Sequence, residues 1–172
     1  MNKKQTIYKI CITAVLCVLA VIANRFLSFN VWNLSLGIGF LPILICALVL
    51  GPVYGGICGG LADLIGAILF PFGPFFPGFT ITAFISGACF GLIKTNVSKS
   101  RFFIGCTSLF FIEELLCTVL LNSLWISLPY GSPFLPLLSL RLLKAAIMLP
   151  IQIFSAFIIK NHILNPIRKM IK

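Results

Sequence analysis

The chain has 172 residues, 60% of them hydrophobic and only 9% charged, with a mean hydropathy of +1.14. A fold in water could not hide that much apolar surface, so a soluble domain is excluded. The formal charge of +10 does not point to nucleic acid either, because no basic groove interleaved with aromatics is present.

Six apolar blocks follow one another, and at about 20 residues per span they take up most of the chain. The pattern predicts an all-α integral membrane protein, a single six-helix domain over residues 1–172 with spans near 7–27, 36–50, 53–70, 79–93, 102–128 and 137–159. The basic start and the apolar run after it resemble a signal peptide, but Asn24-Arg25-Phe26 stands where a small-residue cleavage site belongs, so the segment is read as the first helix. Block two carries Pro42, and Gly51-Pro52 predicts a tight turn into block three. Pro71, Pro74 and Pro77 make the connection 71–78 non-helical, and a second Pro/Gly-rich turn is expected over 129–136. Blocks two and four are short for about 30 Å of hydrocarbon. They suggest helices that stop early and leave an outward-facing cavity roofed by loops, unless the bilayer thins or the helices tilt. Gly51, Gly55 and Gly59, then Ala83, Gly87 and Gly91, recur every four positions, a spacing that lets membrane helices approach closely.

The cations are one-sided. Lys3, Lys4 and Lys9 precede the first block, Lys94, Lys99 and Arg101 lie between the fourth and fifth, and Lys160, Arg168, Lys169 and Lys172 follow the sixth. With six spans and both termini cytoplasmic, all of these fall on the cytoplasmic face, as the positive-inside rule requires.

Charges inside the blocks are the candidates for function. Asp63, Glu113, Glu114, Arg141 and Lys144 each cost about 2.5–3.5 kcal/mol at a helix centre and need a partner or a wet cavity. Asp63 shares the face of the glycine stripe and therefore points inward, at a depth expected to match that of Glu113 and Glu114. Asp63 and Lys144 read equally as members of a structural ion pair. Arg141, expected near the outer mouth and short of acidic neighbours, is placed to grip an anion through its planar fork. Aromatics gather in the same outer half, including Trp32, Phe75, Phe76 and Trp125. They form either an interfacial belt or stacking surfaces for a flat ligand. Asn122, three residues before Trp125, is a helix–helix link or a reader of a polar ring edge.

No phosphate loop, zinc-protease or nucleophile-elbow motif occurs, and the lone His162 has no catalytic companions. No enzyme, cofactor or metal site is expected. The seven cysteines lie in or beside apolar blocks without a C-x-x-C pair and read as buried thiols.

Residues 51–66 (GPVYGGICGGLADLIG) and 74–83 (PFFPGFTITA), with Asn122-Ser-Leu-Trp125, Arg141-Leu-Leu-Lys144 and Arg25-Phe-Leu-Ser28, resemble the substrate-binding S components of energy-coupling factor (ECF) vitamin transporters, and within them the folate-type branch. The resemblance covers nearly the whole chain. It implies a multi-pass protein of the bacterial plasma membrane that captures a folate-like vitamin outside. A transmembrane coupling subunit and two ATPase subunits would then drive its release inside. Substrate-binding candidates under this reading are Arg25, Trp32, Phe75, Phe76, Asn122, Trp125, Arg141 and Lys144. S components meet the coupling subunit through small residues on the first helix, and Cys11, Ala14, Cys17 and Val18 offer an irregular version of that face. The alternatives are another vitamin (pantothenate or riboflavin), a stand-alone ion-coupled carrier using Asp63, Glu113 and Glu114, or a structural scaffold.

Overall fold

The computed structural model describes residues 3–31, 34–71, 75–130 and 134–164. Helix α1 (Lys3–Phe26) leads into a short antiparallel hairpin, β1 (Ser28–Val31) and β2 (Leu34–Gly37), with Ser28 opposite Gly37 and Val31 opposite Leu34. Helices α2 (Phe40–Leu50), α3 (Pro52–Leu69) and α4 (Pro77–Gly91) follow. The next rod is continuous but changes pitch. It runs as α5 (Lys99–Glu113), a π-helical segment Glu114–Leu121, and α6 (Asn122–Tyr130). The last helix, α7 (Phe134–Ile159), ends in a second π segment, Lys160–Leu164.

Among the described residues, four helical stretches are long and apolar enough to cross a membrane: Lys3–Phe26, Pro52–Leu69, Lys99–Leu128 and Pro136–Leu164. At about 1.5 Å per residue, α2 and α4, of 11 and 15 residues, fall short of the bilayer core. Several boundaries differ from those expected of the sequence. Block two starts at Phe40, because residues 34–37 pair with β1. Pro77 and Gly78 belong to α4, since proline is tolerated in a first turn, where its missing N–H has no partner to lose. Helix α6 runs through Pro129 to Tyr130 and α7 begins at Phe134, so both helices reach into the stretch 129–136 expected to turn.

The Gly51-Pro52 pair turns the chain as its residue types dictate. Gly51 takes φ 97°, a left-handed conformation costly for other residues, and its N–H bonds the Ala47 carbonyl at 2.9 Å. Pro52 starts α3 at once. The glycine stripe then packs α3 onto α4. A Cβ on Gly55 would lie 2.5 Å from the Gly87 carbonyl oxygen and 2.6 Å from Ala47 Cβ. The stripe is therefore intramolecular, and the two backbones touch.

Apolar side chains face outward. On α7, Leu140, Leu143, Ile147, Ile151, Phe154 and Ile158 are exposed, while Leu137, Arg141, Met148, Gln152 and Ala156 on the opposite face are buried. That is the inverse of a helix in water, and it suits a lipid solvent. The main core joins Leu44, Leu48, Phe90, Phe102, Phe110 and Ile159. A second one joins Cys17, Ala20, Cys46 and Cys58 between α1, α2 and α3.

Candidate functional site

Three sets of polar side chains bridge the helices. In the first, Asp63 on α3 accepts a hydrogen bond from Thr80 Oγ1 on α4 at 2.9 Å. Gly66, three residues further along α3, leaves room for the Arg25 guanidinium: a Cβ there would lie 2.8 Å from its Nε. The cation and the Asp63 carboxylate attract each other. The end of α1 is thereby held to the α3–α4 pair.

The second set is aromatic. Trp125 Nε1 on α6 donates to Thr82 Oγ1 at 2.9 Å, and the Thr82 hydroxyl donates to the Gly78 carbonyl at 3.0 Å. The one donor of the indole is thus engaged, and its ring faces are what it can offer. Phe76 stands 5.5 Å from that ring, tilted by 43°, and meets Phe79 edge-on at 6.3 Å. Gly78 is required beneath them, since a Cβ would come 2.5 Å from Trp125 and 2.6 Å from Phe76. Phe75 points outward at 49% exposure. Asn122 is half-buried. Trp32 lies outside the described residues.

The third set crosses the middle of the bundle. Glu113 accepts from Ser86 Oγ on α4 at 2.5 Å, and Glu114 accepts from Gln152 Nε2 on α7 at 2.7 Å. Arg141 donates through Nη1 to the Thr118 carbonyl at 3.2 Å. Thr118 lies in the π segment, where carbonyls fall out of line with the α-helical ladder and accept outside donors. Lys144 lies within Coulombic range of Glu114, Glu113 and Arg141. Glu113 Oε2, Glu114 Oε2, Arg141 Nε, Gln152 Oε1 and Ser123 Oγ keep unused hydrogen-bonding capacity although buried.

These placements revise three expectations. Arg141 is only 6% exposed, beside Lys144 and bonded to the π segment, so it lies inside the bundle rather than open at an outer mouth. Asp63 does not share a depth with the glutamates. It bonds Thr80 and Glu113 bonds Ser86, six residues apart on one helix, or about 9 Å along its axis. On α1, Cys11, Ala14 and Val18 are exposed, but Cys17 is buried against Cys46 and Cys58 and cannot belong to an outer docking face.

Sequence reasoning missed Ser86 and Gln152, and quoted Thr80 and Thr82 only as part of a motif. One signal was available for Gln152, which follows Lys144 by eight residues and so falls on the same face of α7. For the hydroxyls there was none, because Ser and Thr in membrane helices commonly bond their own preceding turn, as Thr13 does to the Lys9 carbonyl at 2.8 Å.

Long apolar helices with hydrogen-bonding and charged groups turned inward define a multi-pass helical membrane protein with a polar interior. The family model for the substrate-specific component of ECF transporters matches residues 8–160, and the chain belongs to that family. It is 30% identical over 168 residues to the folate transporter FolT of Clostridium novyi (strain NT), covering 92% of this chain and 94% of that protein. Among solved structures it is similar to FolT bound with folic acid, with a TM-score of 0.81 at 28% identity over 93% of this chain and 94% of the other. The S component for biotin from an ECF-type ABC transporter shares the fold, with a TM-score of 0.68 at 16% identity over 94% and 93% of the two chains. The resemblance carried by residues 51–66 and 74–83 thus extends over nearly the whole chain.

Proposed function

We propose that this chain is the folate-binding component of an ECF-type importer in a bacterial plasma membrane. One observation supports this beyond the similarity to FolT: Thr80 and Thr82, two residues apart on α4, join a cationic and an aromatic set at one end of the bundle. A folate combines a flat pterin, an aminobenzoyl ring and an anionic glutamate. Its recognition calls for ring faces, such as those of Trp125 and Phe76, beside guanidinium donors such as Arg25 and, deeper, Arg141. Phe75, Trp32, Asn122 and Lys144 remain candidates for the same cavity.

In this reading α2 and α4 complete six spans, and both termini face the cytoplasm. Cations support it by gathering at the opposite end of the bundle. Lys160 Nζ donates to the Val97 carbonyl at 3.0 Å, Lys9 lies 5.7 Å from the Tyr54 ring centre, and Gly91 abuts Pro52. The exposed Cys11, Ala14 and Val18 would meet the coupling subunit, and two ATPase subunits would supply the energy. Calorimetric titration of the purified protein with folate, riboflavin and pantothenate tests the substrate. Folate is expected to bind and the other two not. Binding of riboflavin or pantothenate alone would move the chain to another vitamin branch.

A further inference from the structure

We infer that Thr82 is a positioning residue for ligand stacking: its hydroxyl, tied to the Gly78 carbonyl, pins the Trp125 indole by its one N–H, so that the indole meets a bound ligand with its ring alone, beside Phe76. The inference rests on the proposed function for the identity of the ligand but not for the positioning itself.

The start of α4 carries most of the parts. Phe76 is its N-cap, Pro77 opens its first turn, and Thr82 lies four residues past Gly78, on the same face. Thr82 is 4% exposed, so it lies out of a ligand's reach and acts through the ring it holds. Its oxygen works in both senses, donating to the Gly78 carbonyl at 3.0 Å and accepting from Trp125 Nε1 at 2.9 Å. A hydroxyl that donates is polarised into a stronger acceptor. The bond to the carbonyl four residues back also selects the Thr82 rotamer, which aims the oxygen at α6. An indole has one donor and no acceptor. With that donor spent on Thr82, the half-buried Trp125 has only apolar ring surface left to offer. The ring is fixed on two further sides. The Gly78 backbone lies against it so closely that a Cβ would come 2.5 Å from Trp125 Cδ2, and Phe76 leans on it at 5.5 Å and 43°. A flat ring held from three sides has lost its freedom to turn before the ligand arrives, which lowers the cost of stacking on it.

Two measurements test this. In calorimetric titrations with folate, Thr82→Val, which keeps the shape and removes the hydroxyl, should weaken binding roughly three- to tenfold, the effect of one neutral hydrogen bond. Thr82→Ser should recover most of that loss. In a Trp125→Phe background, which keeps a ring but has no N–H, Thr82→Val should cause no further loss. A hydroxyl that merely stabilises α4 would weaken both backgrounds alike. Without any ligand, hydrogen exchange of the indole N–H can be followed by nuclear magnetic resonance, since the chain has two tryptophans and Trp125→Phe identifies the signal. The Trp125 N–H should exchange several-fold faster in Thr82→Val and in Gly78→Ala, and at close to the wild-type rate in Thr82→Ser. Losses that multiply across the two backgrounds, or an unchanged exchange rate in both Thr82→Val and Gly78→Ala, would overturn the inference. If the wild type binds no folate yet exchange quickens in both variants, the positioning stands and the ligand assignment fails.

Discussion

Arg141 serves two ends at once. Its Nη1 caps a carbonyl of the π segment while its Nε remains buried without a partner. Replacing it by Ala removes that cap and strands the Thr118 carbonyl inside the bundle, an unpaired buried acceptor that costs about 1–3 kcal/mol. Arg141→Ala should therefore lower the melting temperature in detergent and weaken folate binding about ten- to a hundredfold. Arg141→Lys should recover little of either, because an ammonium lacks the planar fork. A fall in stability with folate affinity intact would leave Arg141 as a structural pin only. Gln152 offers a cleaner comparison. Gln152→Leu removes the donor to Glu114 Oε1, and the stranded acceptor should cost about 1–3 kcal/mol in thermal or denaturant unfolding. An unchanged stability would mean that Glu114 finds another donor.

At the scale of helices, the glycines separate into those that allow contact and those that do not matter. Gly55 faces the Gly87 backbone, so Gly55→Ala forces two backbones apart and should destabilise by about 1–3 kcal/mol. Gly105 on α5 has nothing within 4 Å of an added Cβ, and Gly105→Ala should be neutral or stabilise by up to about 1 kcal/mol through helix propensity. Thermal scans of the two variants side by side distinguish them, and equal shifts would refute the packing role of the stripe. Much of this level was legible in the sequence. The four-residue spacing announced α3 against α4, and the Gly51-Pro52 turn lies where residue types placed it. The β1–β2 hairpin was not, since Leu34 and Leu36 simply prolong an apolar run. Nor was the π segment, whose residues Glu114–Leu121 have ordinary helical composition and whose Glu114 and Thr118 bond Gln152 and Arg141 on α7. At the site, intramembrane charge marked the right residues, because lipid makes each one costly. Their pairing depended on serine, threonine and glutamine side chains that composition does not distinguish from routine packing.

For the molecule as a whole, the distribution of cations sets an orientation that labelling can read. In a Cys11→Ser background, Lys99→Cys should react with a membrane-impermeant maleimide only after the cells are opened, and Phe75→Cys should react in intact cells. The reverse pattern would invert the topology. Uptake of folate into liposomes should require the coupling and ATPase subunits. Gradient-driven uptake by this chain alone would instead favour the carrier reading, with Glu113 and Glu114 as its relay.

The inward-facing charges have an electrical consequence. At formal charge, Arg25 offsets Asp63, and Arg141 with Lys144 offsets Glu113 with Glu114. Moving one unbalanced elementary charge through the membrane potential involves about 2.3 kcal/mol per 100 mV. A balanced interior lets the bundle tilt or shift in the bilayer without the resting voltage assisting or opposing it. Any voltage sensitivity of transport would then follow the charge on the vitamin, so an uncharged analogue should be taken up at a rate independent of membrane potential.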